Sequence, residues 1–415
     1  MTQNRSVLDW PTGTTVFKPE KCYNGYTVVT PYRSHLTFLV DMAGRVVHSW
    51  KGDPVRDSQA WYFERQENGN WMSMVHRIPA GGSCLEPSPE REGDFEHTVV
   101  EFDWKGNVVW RYTAPPGWVL HHDFARLQNG NTIIASQVTL EVANVSRKPI
   151  KENFFIEVNK QGEVVWDWYT AQHFDEFGYP DETRQLMDES GGDIFHTNTV
   201  SPLPGNALES ADSRFRKGNL LSCQRSTNVI YIVDKASTEV VWTWGAKKGQ
   251  LVGPHHPIML HNGNILIYDN GGRAGYPEQV RFHTRLVEIE PLSGNIVWQY
   301  EHEPYIFKGT SKFFSSSWGS VQRLPNGNTF SLDCHKGRLF EVTPSGEIVW
   351  EYISPFAWGR GTQVMDSGIY RAYRYGYEEV AEPDSVFMNT DGHLDVQPLG
   401  APIPKNLGLP SQDRP

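Results

Sequence analysis

Apolar and polar positions alternate along this chain in short bursts, and one burst recurs six times: Gly44-Arg-Val-Val-His-Ser-Trp50, Gly106-Asn-Val-Val-Trp-Arg-Tyr112, Gly162-Glu-Val-Val-Trp-Asp-Trp168, Thr238-Glu-Val-Val-Trp-Thr-Trp244, Gly294-Asn-Ile-Val-Trp-Gln-Tyr300 and Gly346-Glu-Ile-Val-Trp-Glu-Tyr352. Two β-branched residues followed by large residues two apart make the pattern of a strand with one buried face. Measured between Val47, Val109, Val165, Val241, Val297 and Val349, the intervals are 62, 56, 76, 56 and 52 residues. Self-similarity at such a period signals a propeller or an array.

A second phrase precedes the closing one in most repeats: Glu67-Asn-Gly-Asn70, Gln128-Asn-Gly-Asn131, Lys217-Gly-Asn219, His261-Asn-Gly-Asn264 and Pro325-Asn-Gly-Asn328. Asn-Gly between apolar runs predicts a hairpin built on a type I′ turn, whose central residues both need positive φ. The third repeat then reads as four strands: His122-Asp-Phe-Ala-Arg-Leu, Thr132-Ile-Ile-Ala-Ser, Phe154-Phe-Ile-Glu-Val and Glu163-Val-Val-Trp-Asp-Trp. The expected fold is all-β, a six-bladed propeller of four-stranded antiparallel blades, an arrangement that limits exposed sheet edges. The first repeat holds only three strands, so a C-terminal strand, Gly368-Ile-Tyr-Arg-Ala-Tyr373, is expected to complete it and close the ring. That divides the chain into an N-terminal extension (1–20), the propeller (21–355), and a closing strand with a surface tail (356–415). Two polar inserts, Arg77 to Asp94 and Gln172 to Gly192, have the length of rim loops that form lids.

A repeat array runs on as one domain, so 415 residues do not demand two. Aromatic residues make up 13% of the chain, with 15 Trp, which suits sheets that stack through flat side chains. The formal charge of −11, with no cluster of Lys and Arg, excludes a nucleic-acid footprint. No apolar run approaches the ~20 residues of a membrane span. Met1 to Trp10 lacks a secretory h-region, so the expected location is the cytoplasm, or the periplasm if a leader was removed. Cys22, Cys84, Cys223 and Cys334 form no C-x-x-C pair, which leaves buried free thiols as the expectation. No Gly-x-Ser-x-Gly elbow, His-Glu-x-x-His helix or Gly-Lys-Ser/Thr phosphate loop is present. Gly271-Gly-Arg-Ala-Gly275 lacks the following helix that a dinucleotide site requires.

In a propeller the first strand of each blade lines the central channel. His122 stands seven residues before Asn129, His256 six before Asn262, and His196 opens the equivalent strand of the fourth repeat. At the far ends of the second strands, at the same mouth, stand His76, Gln137, Arg225, Asn270 and His335. One histidine at a strand end is ordinary structure. Five at equivalent ends of different blades, where the sixth blade offers Gly319 or Ser320, imply a site. Imidazole serves as base, acid or nucleophile near neutrality, and guanidinium holds oxyanions with two prongs. Two chemistries fit: transfer of an anionic group, or a divalent metal (Fe, Zn, Mn or Cu) held by His76, His122, His256 and His335, in a lyase or oxygenase acting on an aromatic or acidic small molecule.

Residues 22–355 resemble the bacterial arylsulfotransferase family, six-bladed propellers that move a sulfuryl group between phenols through a histidine. The resemblance is carried by Asn24-Gly-Tyr-Thr-Val-Val with Leu39-Val-Asp-Met-Ala-Gly-Arg-Val-Val-His-Ser-Trp50, His122-Asp123, Phe195-His-Thr-Asn198, Ser222-Cys-Gln-Arg225, Val229-Ile-Tyr-Ile-Val-Asp234, and His256 followed by Ile265-Leu-Ile-Tyr-Asp-Asn-Gly271 and Arg273. It implies that His256 is the nucleophile, that His122 and His196 manage protons, and that Asn198 and Arg225 grip the sulfuryl oxygens. It implies no cofactor, and a small aromatic substrate for a monomer or homodimer. Trp61, Phe195, Tyr276 and Trp318 are candidates to wall the phenol. The chain departs from the family in showing no leader, where the founding members are exported, and in carrying His76, His255 and His335 as surplus imidazoles.

Overall fold

The computed structural model describes residues 12–32, 34–51, 58–77, 96–247, 249–302, 313–356 and 368–380. Six antiparallel blades stand in a ring. From the channel outward, blade one is β27 (Ile369–Gly376), β2 (Gly25–Pro31), β3 (Leu36–Val40) and β4 (Val46–Lys51). Blade two is β5 (Ser58–Arg65), β6 (Trp71–Arg77), β7 (Glu96–Phe102) and β8 (Val108–Thr113); blade three is β9 (Val119–Arg126), β10 (Thr132–Leu140), β11 (Ile150–Val158) and β12 (Val164–Tyr169). Blade four is β13 (Thr197–Pro202), β14 (Leu220–Gln224), β15 (Val229–Val233) and β16 (Val240–Trp244). Blade five is β17 (Pro254–Met259), β18 (Ile265–Asp269), β21 (Arg285–Glu290) and β22 (Asn295–Glu301), with a small hairpin of β19 (Gly272–Ala274) and β20 (Gln279–Arg281) in its rim. Blade six is β23 (Val321–Arg323), β24 (Thr329–Asp333), β25 (Arg338–Val342) and β26 (Ile348–Ile353).

The ring is closed twice. The C-terminal β27 supplies the inner strand of blade one, as the three-strand first repeat requires, pairing Tyr26 with Tyr375 and Val28 with Tyr373. At the other end of the chain, β1 (Gly13–Phe17) adds a fifth, outermost strand to blade six by pairing with β26. The second polar insert folds over blades three and four as a 3-10 segment (Thr170–Phe177) and the helix α1 (Asp181–Ser190). Most of the first insert, including Cys84, and the tail beyond Val380 lie outside the described residues. Cys22, Cys223 and Cys334 are buried free thiols. No helix among the described residues is long and apolar enough to cross a membrane.

The closing phrase repeats because it ties each blade to the next. An indole N–H on an outer strand donates to a turn carbonyl of the following blade: Trp110 to Lys160 (3.0 Å), Trp168 to Thr238 (2.8 Å), Trp242 to Pro291 (3.2 Å), Trp298 to Pro344 (2.8 Å) and Trp350 to Met42 (2.8 Å). Blade one uses His48 and Trp50 on the carbonyl of Trp104.

The Asn-Gly-Asn phrase also has a structural task, and its turn is not type I′. Only the glycine takes positive φ (Gly69 84°, Gly130 84°, Gly263 89°, Gly327 87°), and Gly69 N–H donates to the carbonyl of Gln66. Both asparagine side chains are instead engaged with a glutamate on the third strand of their own blade: Asn68 and Asn70 on Glu101, Asn129 and Asn131 on Glu157, Asn262 and Asn264 on Glu288, Asn326 and Asn328 on Glu341. Each glutamate then meets a cation from the following blade: Arg126, Lys235, Arg323 and Arg374 respectively. That cation lies over a closing-phrase tryptophan of the glutamate's own blade, at 4.8 Å for Arg126 on Trp110 and 4.3 Å for Arg374 on Trp350.

Arg374 and Glu341 are both fully buried, and their pairing joins blades one and six where the chain closes. Removing one partner of a buried pair strands the other charge, at a cost of about 3–5 kcal/mol. Glu341→Ala is therefore expected to lose about that much stability in urea unfolding. A change below about 1 kcal/mol, the range of an exposed pair, would contradict the role assigned to this layer.

Candidate functional site

At the mouth opposite the Asn-Gly turns, each of blades three to six has a left-handed residue within or just before its inner strand: His122 (φ 66°) in β9, His256 (φ 46°) in β17, and His196 (φ 50°) and Trp318 (φ 66°) ahead of β13 and β23. Such a conformation costs an L-residue about 1–3 kcal/mol and persists where the surroundings dictate it. In blades three, four and five the first two strands shift register beside it, between Ile134 and Ser136, Thr197 and Thr199, and His255 and Ile258. The same bend thus presents a different side chain from each blade to the channel.

Three imidazoles meet there. One ring nitrogen each from His122, His196 and His255 lies within 4.8 Å of the others, and the rings of His122 and His196 are 4.8 Å apart at their centres. His196 Nδ1 donates to the Asp193 carboxylate (2.6 Å), and His255 Nδ1 is 2.7 Å from Asn270 Oδ1. The Asn270 amide donates to the carbonyls of Ser315 and Trp318, so its oxygen faces His255 and the imidazole must be the donor. His122 Nδ1 sits against His121 Nδ1 at 2.5 Å. His196 is the accessible member, with its side chain 28% exposed; His122 and His255 are buried.

Burial, first, and neighbouring positive charge, second, keep the His122 and His255 rings neutral. His122 is held well below the ordinary histidine value by burial and by His121, His196 and His255; His255 by burial and then by Arg225. Asp193 is held below the usual carboxylate range despite its burial, because His196 faces it. Arg225, on the same rim, reaches toward the carbonyls of Ser316 (3.3 Å) and Arg273 (3.5 Å).

His256 turns away from this group. Its Nδ1 accepts the Val321 N–H (3.2 Å), and its Nε2 is 3.2 Å from the Tyr373 hydroxyl inside the channel. Asn198 is fully buried; its amide donates to the Pro254 carbonyl (2.9 Å) and its oxygen accepts from Thr199, whose own hydroxyl takes the His256 N–H. It fastens β17 to β13. Beneath the imidazoles, Asp123 accepts from Arg371 (2.5 Å), the Tyr62 hydroxyl (2.9 Å) and the Val200 N–H (2.8 Å), while Arg371 also reaches the Asn198 carbonyl (3.0 Å). The closing strand thereby braces blades three and four from inside.

The metal set read from the sequence does not assemble. His76 Nδ1 accepts the Trp61 indole N–H (2.9 Å), His335 Nε2 is 3.1 Å from the Ser317 hydroxyl, and both nitrogens of His256 are engaged as above. Among the described residues the convergent trio is His122, His196 and His255. Of the aromatic candidates, Phe195 is buried in the core beneath blades three and four. Trp61 and Trp318 instead stand on either side of Tyr370, which the closing strand supplies, at 5.0 and 6.2 Å between ring centres. Trp61 and Tyr370 also lie 5.4 and 6.0 Å from His122, so an aromatic wall faces the imidazoles. On the far side the Tyr276 carbonyl, in the β19–β20 hairpin, accepts from Thr183 of α1 (2.6 Å), joining the insert to blade five.

Asp193, His255 and Tyr370 are the members that sequence reasoning did not single out for a role. Asp193 was visible as a carboxylate three residues before His196, and His255 as the second ring of a His-His pair.

Fold and site together define a six-bladed propeller with an imidazole cluster at one mouth of its channel. The arylsulfotransferase (ASST) family profile matches residues 14–349, and the chain belongs to that family, whose membership suggests a transferase. No curated protein matches. Solved structures that resemble it include a protein of unknown function from Bacteroides caccae (13% identity, TM-score 0.49, covering 84% of this chain and 98% of that one). Virginiamycin B lyase from Staphylococcus aureus (10% identity, TM-score 0.42, 83% and 84%) and apo AztD from Citrobacter koseri (9% identity, TM-score 0.41, 85% and 99%) are also similar.

Proposed function

We propose that this protein transfers a sulfuryl group from an aryl sulfate to a phenolic acceptor through an imidazole at the histidine mouth. The observation that carries the reading is the sandwich of neutral imidazoles between an aromatic wall (Trp61, Tyr370, Trp318) and a guanidinium (Arg225). An aryl sulfate has the matching two ends, a ring and an anion.

The resemblance gives the nucleophile's role to His256. A neutral His256 that accepts the Val321 N–H on Nδ1 carries its proton on Nε2, so neither nitrogen offers a lone pair. His122 is the ring that touches both the aromatic wall and the other two imidazoles. In the proposed step its Nε2 attacks sulfur, the sulfur–oxygen bond to the aryl group breaks, and the phenolate departs with that electron pair. An imidazolium at His196, its Nδ1–H held by Asp193, gives the departing oxygen the proton on its Nε2 and is left neutral. The acceptor phenol then returns a proton to His196, its oxygen attacks sulfur, and the nitrogen–sulfur bond breaks. Sulfuryl transfer, like phosphoryl transfer, proceeds through a loose transition state, so charge on the peripheral oxygens is what Arg225 must hold. Asn198 acts as a positioning residue for β17.

Incubation with a chromogenic aryl sulfate tests this. Chromophore release that depends on an added phenol, with sulfated phenol found by mass spectrometry, is the expected result. Absence of release, or release indifferent to the phenol, would contradict it.

A further inference from the structure

We infer that His122, His196 and His255 form a binding site for one divalent transition metal ion of the Zn²⁺ class. The inference uses the imidazoles of the preceding section but does not depend on sulfuryl transfer.

A metal ligand must present a lone pair, and in a histidine that atom is decided by the hydrogen bond at the other nitrogen. The Asp193 carboxylate can only accept, so the Nδ1 of His196 carries hydrogen and its Nε2 is left with the lone pair. Asn270, with its amide hydrogens committed to two carbonyls, fixes His255 in the same way, and His255 Nε2 is buried with no hydrogen-bond partner. His122 Nδ1 pairs with His121 Nδ1, and the tautomer in which His122 is the donor of that pair leaves its Nε2 with the lone pair. Three imidazoles with Nδ1 engaged behind them, one by a carboxylate, are the donor set of an open three-histidine zinc site with its outer shell in place.

Distance is compatible with small movement. Tetrahedral Zn–N bonds of about 2.0–2.1 Å place ligand nitrogens about 3.3 Å apart. Separations here reach at most 4.8 Å, so the widest must shorten by about 1.5 Å. Rotation of His196, the half-buried member, about its hydrogen bond to Asp193 would supply it. Because the ion takes the lone pairs that a nucleophile needs, metal uptake and group transfer through His122 exclude one another.

The test is titration of the metal-free full-length protein with Co²⁺, followed by visible absorption, then displacement by Zn²⁺. One equivalent with the intense bands of four-coordinate Co²⁺ is expected. Asp193→Asn should weaken binding about 10–100-fold, as loss of a ligand's hydrogen-bond partner does. His255→Gln should abolish the bands, and His335→Gln should leave them intact. Lack of stoichiometric binding, or bands that survive His255→Gln and Asp193→Asn alike, would overturn the proposal. Aryl sulfate turnover in the same samples separates the two readings: binding without turnover of the metal-free protein sinks sulfuryl transfer alone, and turnover without binding sinks the metal site alone.

Discussion

His122→Asn is expected to lower aryl sulfate turnover by about 10²–10⁴ while the protein remains folded. Asparagine is the informative replacement because, with histidine and aspartate, it is one of the few residues at home in the left-handed region that His122 occupies at φ 66°. The bend within β9 therefore survives while the imidazole is removed. His256→Asn, at φ 46°, is matched in backbone and differs in chemistry. It deletes a ring already bound to Val321 and near Tyr373, so a smaller loss is expected. The reverse order, with His256→Asn inactive and His122→Asn active, would return the nucleophile's role to His256.

The second large effect is on stability in acid. Burial is the main cause that holds His76 and His97 below their ordinary 6.5, with His97 lowered to about 4. The unfolded chain takes up protons below about pH 6.5 and the folded rings do not, so stability falls as pH drops from there toward the folded values. For His97 alone the difference amounts to about 3 kcal/mol. His121, lowered to about 3, and His122, His255 and His256 act in the same direction. Glu64 and Glu152 oppose them: burial raises these carboxyls to about 8 and about 7, which favours the fold as pH falls toward 4.5. Six rings against two carboxyls leave the net sign unchanged. Melting temperature, measured in chelator, should fall steeply between pH 6.5 and 4; a flat profile would show that these imidazoles are not buried neutral.

The blade count, the four-stranded blade and the C-terminal closing strand were legible because each rests on local periodicity, and a propeller is local periodicity repeated. The turn type was not, since Asn-Gly suits two turns, and what selects between them is the glutamate on the third strand that both asparagines bind. In the site, chain position located the mouth but not the direction of each ring. His255 and His256 are adjacent, and the register shift in β17 decides which of them joins His122 and His196. Asn198 belongs to a matching motif, yet its amide is spent on Pro254. Tyr370 and Arg371 reach the site only because the ring closes, a contact between residues hundreds of positions apart that no short pattern encodes.

The most direct test of the central claim, that a group passes through an imidazole of this mouth, is to quench the metal-free protein with aryl sulfate in the absence of acceptor and locate the sulfuryl group by mass spectrometry under alkaline conditions. The label is expected on the peptide holding His122, discharged when phenol is added. A protein that turns over aryl sulfate with acceptor yet never carries label on His122, His196, His255 or His256 would contradict it.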